Sequence, residues 1–135
     1  HDTNVRKASL FLTGGSLADM VWTGRATRAI RESFEPTIDL THLQRAWAPR
    51  DVGNYDYSLA RSDLDTQVVL GKRDKVVLPE VSIALLESLN NAGVNPDVLQ
   101  LNCGHYSLAI PPYILVAGLN LKRFLSESGS PDHRT

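Results

Sequence analysis

Three short apolar runs constrain the fold of this chain more than any other feature. They are Ala8-Ser9-Leu10-Phe11-Leu12-Thr13, Thr66-Gln67-Val68-Val69-Leu70 and Asp97-Val98-Leu99-Gln100-Leu101. Each is the length of a strand, is followed by a turn containing glycine, and is separated from the next by residues at helical spacing. Strands alternating with helices predict an α/β fold, a parallel βαβ sheet of about three strands with flanking helices. In such a sheet, the loops at the carboxyl ends of the strands gather at one rim, where sites form.

The connections differ in length. Between the first two runs, Leu17, Val21, Ile30 and Phe34 alternate with arginines and predict one helix, or two interrupted at Gly24, ended by Pro36. Leu40, Leu43, Ala46 and Trp47 predict another, stopped by Pro49. Asp51–Asn54 reads as a loop and 55–60 as a short helical turn, so 16–62 forms a helical excursion without a strand. Pro79 opens a helix through Val81, Ala84, Leu85 and Leu89 that Gly93 stops. Pro111-Pro112 open a last helix, with Ile114, Leu115, Ala117, Leu119, Leu121 and Phe124 expected to face inward and Gly118 to mark close packing. Residues 63–125 thus form a β-α-β-α core, and 126–135 a polar tail.

Two polar positions stand out at the rim. Asp74 follows the second strand in Gly71-Lys72-Arg73-Asp74-Lys75, and His105 follows the third in Asn102-Cys103-Gly104-His105-Tyr106-Ser107. An apolar strand, Gly-x-x-Asp, a Pro-started helix, a second strand and Gly-His form a long ordered pattern. On these residues the chain resembles the C-terminal half of the α/β-hydrolase superfamily, from about Val5 to Leu125 and most strongly from Val68 to Tyr113. The resemblance implies a partial α/β-hydrolase fold with 16–62 as cap. It implies an esterase- or lipase-like serine hydrolase acting on a small acyl or ester substrate. It also implies that His105 is the general base and Asp74 the acid of a Ser-His-Asp triad. Gly104 is expected to give the backbone freedom to present His105, and Tyr106 and Ser107 to pack nearby.

The nucleophile has two readings. Gly14-Gly15-Ser16-Leu17-Ala18 matches a loose G-x-S-x-A elbow, which makes Ser16 the nucleophile of a minimal hydrolase. The resemblance instead aligns Ala8–Thr13 with a strand beyond the elbow. Ser16 then only caps a helix, and the nucleophile and oxyanion-hole loop lie on an upstream segment absent here. In that case the first strand exposes an edge, and the partner is an N-terminal hydrolase half or a second copy, as in a two-fold dimer. A non-catalytic association domain that keeps the hydrolase frame is the alternative, and the chain alone is expected to be inactive.

Other residue types offer less. Trp22, Trp47, Tyr55 and Tyr57 either line a substrate pocket under the cap or pack it onto the sheet. Arg25, Arg28 and Arg31 read as a solvated helix face with ion pairs rather than an anion grip. Cys103 reads as a small buried hydrophobe, and one cysteine fits a reducing, cytoplasmic location. His42, His133, Asp63 and Asp65 lack metal-ligand spacing, so neither metal nor cofactor is expected. With a net charge of −1, nothing favours nucleic acid, and no apolar run reaches the roughly 20 residues of a membrane span.

Overall fold

The side-chain alternation of the second apolar run fixes the layers. Val68 and Leu70 point to one face of the sheet and Gln67 and Val69 to the other. In the computed structural model, which describes residues 5–55, 60 and 64–127, β1 (Lys7–Phe11), β2 (Asp65–Gly71) and β3 (Asp97–Leu101) form one parallel sheet in the order β1-β2-β3. The chain is α/β, as its strand pattern predicts. β2, in the middle, is buried from Thr66 to Gly71.

On one face, Val68 and Leu70 pack with Leu85, Leu89 and Val94, brought by helix α4 (Pro79–Asn91) and the turn after it. On the other, Val69, Leu101 and Cys103 pack with Ala117 of helix α5 (Tyr113–Ser126). The expected stop of α4 is real. Gly93 takes φ 86°, a left-handed conformation open to glycine at little steric cost. Lys7 ties α5 to the sheet edge. Its ammonium donates to the carbonyls of Phe124 and Glu127 and lies 4.9 Å from the centre of the Phe124 ring.

The excursion breaks at Gly24 and again just before Pro36, into α1 (Leu17–Thr23), α2 (Arg28–Phe34) and α3 (Leu40–Trp47). Two tight 3-10 turns follow at Ala48–Arg50 and Val52–Tyr55, the second where a loop was expected. The turn expected over 55–60 lies largely outside the described residues. Leu12, at φ 46°, bends the chain off the end of β1, a left-handed conformation costing roughly 1–2 kcal/mol for a residue with a Cβ. Ser82 of α4 then donates to the Thr13 carbonyl at 2.9 Å and anchors that turn.

One expectation fails on α5. Of the six residues expected to face inward, only Ala117 and Phe124 are buried; Ile114, Leu115 and Leu119 are exposed, Leu119 by 69%. Gly118 does not mark close packing either, because a Cβ placed there would meet nothing within 4 Å. The helix is apolar nearly all round, but the described residues cover only one side of it. Among the described residues no helix is long and apolar enough to cross a membrane.

Candidate functional site

Register brings the two rim loops together. Gly71 pairs with Leu101 at the ends of β2 and β3, so the loops leave the sheet side by side. Lys72 N–H donates to the Leu101 carbonyl at 2.9 Å, and Arg73 N–H to the Cys103 carbonyl at 3.0 Å. The approach depends on glycine. A Cβ on Gly71 would lie 2.9 Å from the Cys103 carbonyl oxygen, and one on Gly104 3.2 Å from that of Arg73. Gly104 therefore serves backbone proximity rather than an unusual φ, a correction to the reading that it supplies conformational freedom.

Asp74 and His105 meet. Nδ1 of His105 lies 2.9 Å from Oδ2 of Asp74. The Asp74 side chain is 2% exposed and that of His105 30%, so the acid is inside and the imidazole opens outward. Oδ1 of Asp74 accepts from the backbone N–H groups of Val76 and Val77 at 2.8 and 3.0 Å. Both carboxylate oxygens are thus engaged, one by the backbone and the other by the imidazole. A carboxylate accepts only, so the ring must donate from Nδ1, leaving Nε2 of a neutral imidazole as a proton acceptor. An acid–imidazole pair in this arrangement is equipped to take and return a proton.

The loop carrying His105 is braced locally. Oγ of Ser107 accepts from the Gly104 N–H at 2.7 Å and donates to the Gly104 carbonyl at 3.0 Å. Ser107 thus shapes the turn, while Tyr106 is 75% exposed rather than packed, its ring edge-on to His105 at 5.4 Å.

Ser16 is not brought to this pair. Its hydroxyl accepts from the Asp19 N–H at 3.2 Å as the N-cap of α1. It faces a cavity of about 640 Å³ between the excursion and α4, whose lining does not include His105. Among the described residues, no hydroxyl or thiol is hydrogen-bonded to Nε2 of His105. Cys103 is buried at the base of the loop. Burial, and then the charge of Asp74, push its thiol pKa up. We expect Cys103 to resist iodoacetamide at pH 8 in the folded chain and to react readily in urea, followed by intact mass. Fast alkylation of the native protein would show the thiol to be accessible and reactive.

Two cavities flank His105. One of about 360 Å³ is apolar, between Phe11, Leu108, Ile114, Ala117 and Leu121. The other, of about 640 Å³, carries Arg25, Arg73 and Lys75. Neither Trp22 nor Trp47 lines them; Trp47 stands edge-on to Phe34, ring centres 6.3 Å apart, within the excursion. The Tyr55 side chain and all of Tyr57 lie outside the described residues, as do Asp63 and His133. Of the arginine row, Arg28 pairs with Glu32 at 2.6 Å and Arg31 with Glu35 at 3.2 Å, while Arg25 stands apart beside His105. His42 lies 2.8 Å from Asp39, the cap of α3. Among the described residues, no group of three His, Cys, Asp or Glu side chains is arranged to hold a metal ion. Arg73 and Lys75 were not singled out in the sequence. Their signal was only their position on either side of Asp74.

No protein-family model matches the chain, and no curated protein matches it.

Proposed function

We propose that the chain is the C-terminal portion of a serine hydrolase of the α/β-hydrolase type, acting on carboxylic esters or related acyl compounds. It supplies the acid and the base, and a segment outside these residues supplies the nucleophile. The observation that carries this reading is the Asp74–His105 hydrogen bond at the carboxyl rim of neighbouring parallel strands. His105 takes the nucleophile's proton at Nε2 as the acyl carbonyl is attacked, and returns it to the departing group. Asp74 holds the tautomer and stabilises the imidazolium between those steps. A water then repeats the sequence to release the acid.

The nucleophile-bearing segment has a place to dock. Among the described residues, no strand lies beyond β1, whose outer edge offers unpaired backbone donors and acceptors. The exposed apolar face of α5 flanks the groove that Phe11 and Leu121 line. A strand added to β1 would run parallel to it and deliver an elbow to the rim where His105 opens. Self-association through the same edge is the competing use, and it fits the non-catalytic reading.

A fluorophosphonate probe followed by peptide mapping separates these readings. The 135-residue chain is expected to take no label on Ser16. The chain joined to the sequence preceding it in its reading frame is expected to label one upstream serine, and His105→Ala to abolish that label. Labelling of Ser16 that depends on His105 would make this chain a small complete hydrolase. An extended protein that folds and takes no label would leave the association reading.

A further inference from the structure

The larger cavity beside His105 collects three positive charges from two loops of the chain. Arg25 comes from the turn between α1 and α2, and Arg73 and Lys75 flank Asp74 after β2. The backbone holds them together: Arg25 N–H donates to the Lys75 carbonyl at 3.2 Å, and Arg73 N–H to the Cys103 carbonyl at 3.0 Å. All three are exposed, and among the described residues no carboxylate pairs with any of them, whereas Arg28, Arg31 and Arg123 each have a glutamate. Among the described residues no acid lines the cavity, and Asp74, between Arg73 and Lys75, is buried and already bonded to His105. Three cations against one spent carboxylate, in a chain whose net charge is −1, is a local concentration rather than a general excess.

We propose that this cavity binds a phosphate group carried by the substrate, on the portion that leaves when the acyl group is transferred. Two guanidinium groups and an ammonium suit a phosphate, because arginine presents paired N–H donors to neighbouring phosphate oxygens and lysine adds a mobile point charge. The cavity, about 640 Å³, is open to solvent and mostly apolar in its wall, so it has room for a small organic group while the charged ends of Arg25, Arg73 and Lys75 meet the phosphate. Gly104, His105 and Tyr106 line the same cavity, so a phosphate there leaves the atom receiving the proton within reach of His105. The acyl portion occupies the apolar cavity that His105 also lines. The assignment to a leaving group rests on the hydrolase reading above, but phosphate binding itself does not.

The test is a titration of the isotopically labelled full chain with inorganic phosphate, followed by two-dimensional amide NMR at constant ionic strength. Saturable shifts at Arg73, Lys75, Gly104 and Tyr106 are expected, with acetate binding about tenfold weaker because it offers half the charge and fewer acceptors. Arg73→Gln combined with Lys75→Gln should weaken phosphate about tenfold and leave the spectrum of the sheet unchanged. Linear, unsaturated shifts, acetate binding as tightly as phosphate, or undiminished binding by the double variant would each overturn the proposal. Phosphate binding in an extended protein that takes no fluorophosphonate label would sink the hydrolase reading and leave this site standing. Labelling without phosphate binding would do the reverse.

Discussion

Asp74→Asn is expected to lower the turnover of the hydrolase proposed above about 10⁴-fold while changing its unfolding free energy by less than about 1 kcal/mol. The expectation follows from how the two oxygens are used. Oδ1 accepts the Val76 and Val77 N–H groups and must remain an acceptor, so the asparagine carbonyl takes that position. The amide NH₂ then stands where Oδ2 was, 2.9 Å from Nδ1 of His105, and donates to it. A neutral imidazole answers by carrying its proton on Nε2, where it cannot accept one from a nucleophile. Asp74→Ala removes the backbone acceptor as well and leaves two N–H groups without their partner, a loss of about 1–3 kcal/mol for each group that water does not reach. Urea titration separates the two variants on stability, and ¹⁵N NMR of the imidazole reads the tautomer in the 135-residue chain itself. If Asp74→Asn retains both turnover and the Nδ1–H tautomer, Asp74 is a loop brace and not the acid of a triad.

The rim was legible because it depends on local chemistry. Strands that end at glycine, a helix that begins at Pro79 and a histidine after Gly104 are all carried by neighbouring residues, and parallel pairing then forces Asp74 and His105 to one side of the sheet. What faces α5 was not legible in the same way. Ile114, Leu115, Val116, Ala117, Leu119, Leu121, Phe124 and Leu125 surround the helix with apolar groups, so its spacing has no preferred phase. Burial chose Ala117 and Phe124, Leu121 is half-buried, and the remainder stays exposed among the described residues. The cationic cavity was hidden for another reason. Arg25 sits in a row with Arg28 and Arg31 in the sequence, and only the break at Gly24 and the bond from Arg25 to Lys75 separate it from them. Lys72, Arg73 and Lys75 look like solvated turn charges until a second loop is laid beside them.

The same register that joins the rim loops is specified at the opposite end of the sheet, by one buried amide. Gln67 is fully buried in β2, directly across from Ser9 on β1 and Asp97 on β3. Its Oε1 accepts from Ser9 Oγ at 2.7 Å, and its Nε2 donates to Asp97 Oδ2 at 3.1 Å and to Asn120 Oδ1 at 2.8 Å. The Asp97 carboxylate can only accept, which fixes which end of the amide faces it. A slip of β2 by one residue would turn Gln67 onto the face that holds Leu85 and Leu89. A slip of two would move Asp74 about 7 Å along the strand from His105, far more than a hydrogen bond tolerates. Gln67→Ala should therefore destabilise the chain by about 3 kcal/mol, from the cavity and the three lost bonds together. Gln67→Leu fills most of the space and isolates the bonds; about 1–2 kcal/mol is expected, because Ser9, Asp97 and Asn120 are partly exposed and can turn to water. A double-mutant cycle with Ser9→Ala should show coupling near 1 kcal/mol in urea unfolding. If Gln67→Leu proves as stable as the parent with the His105 tautomer unchanged, the hydrophobic pattern of β2 sets the register unaided, and the amide does not position Asp74.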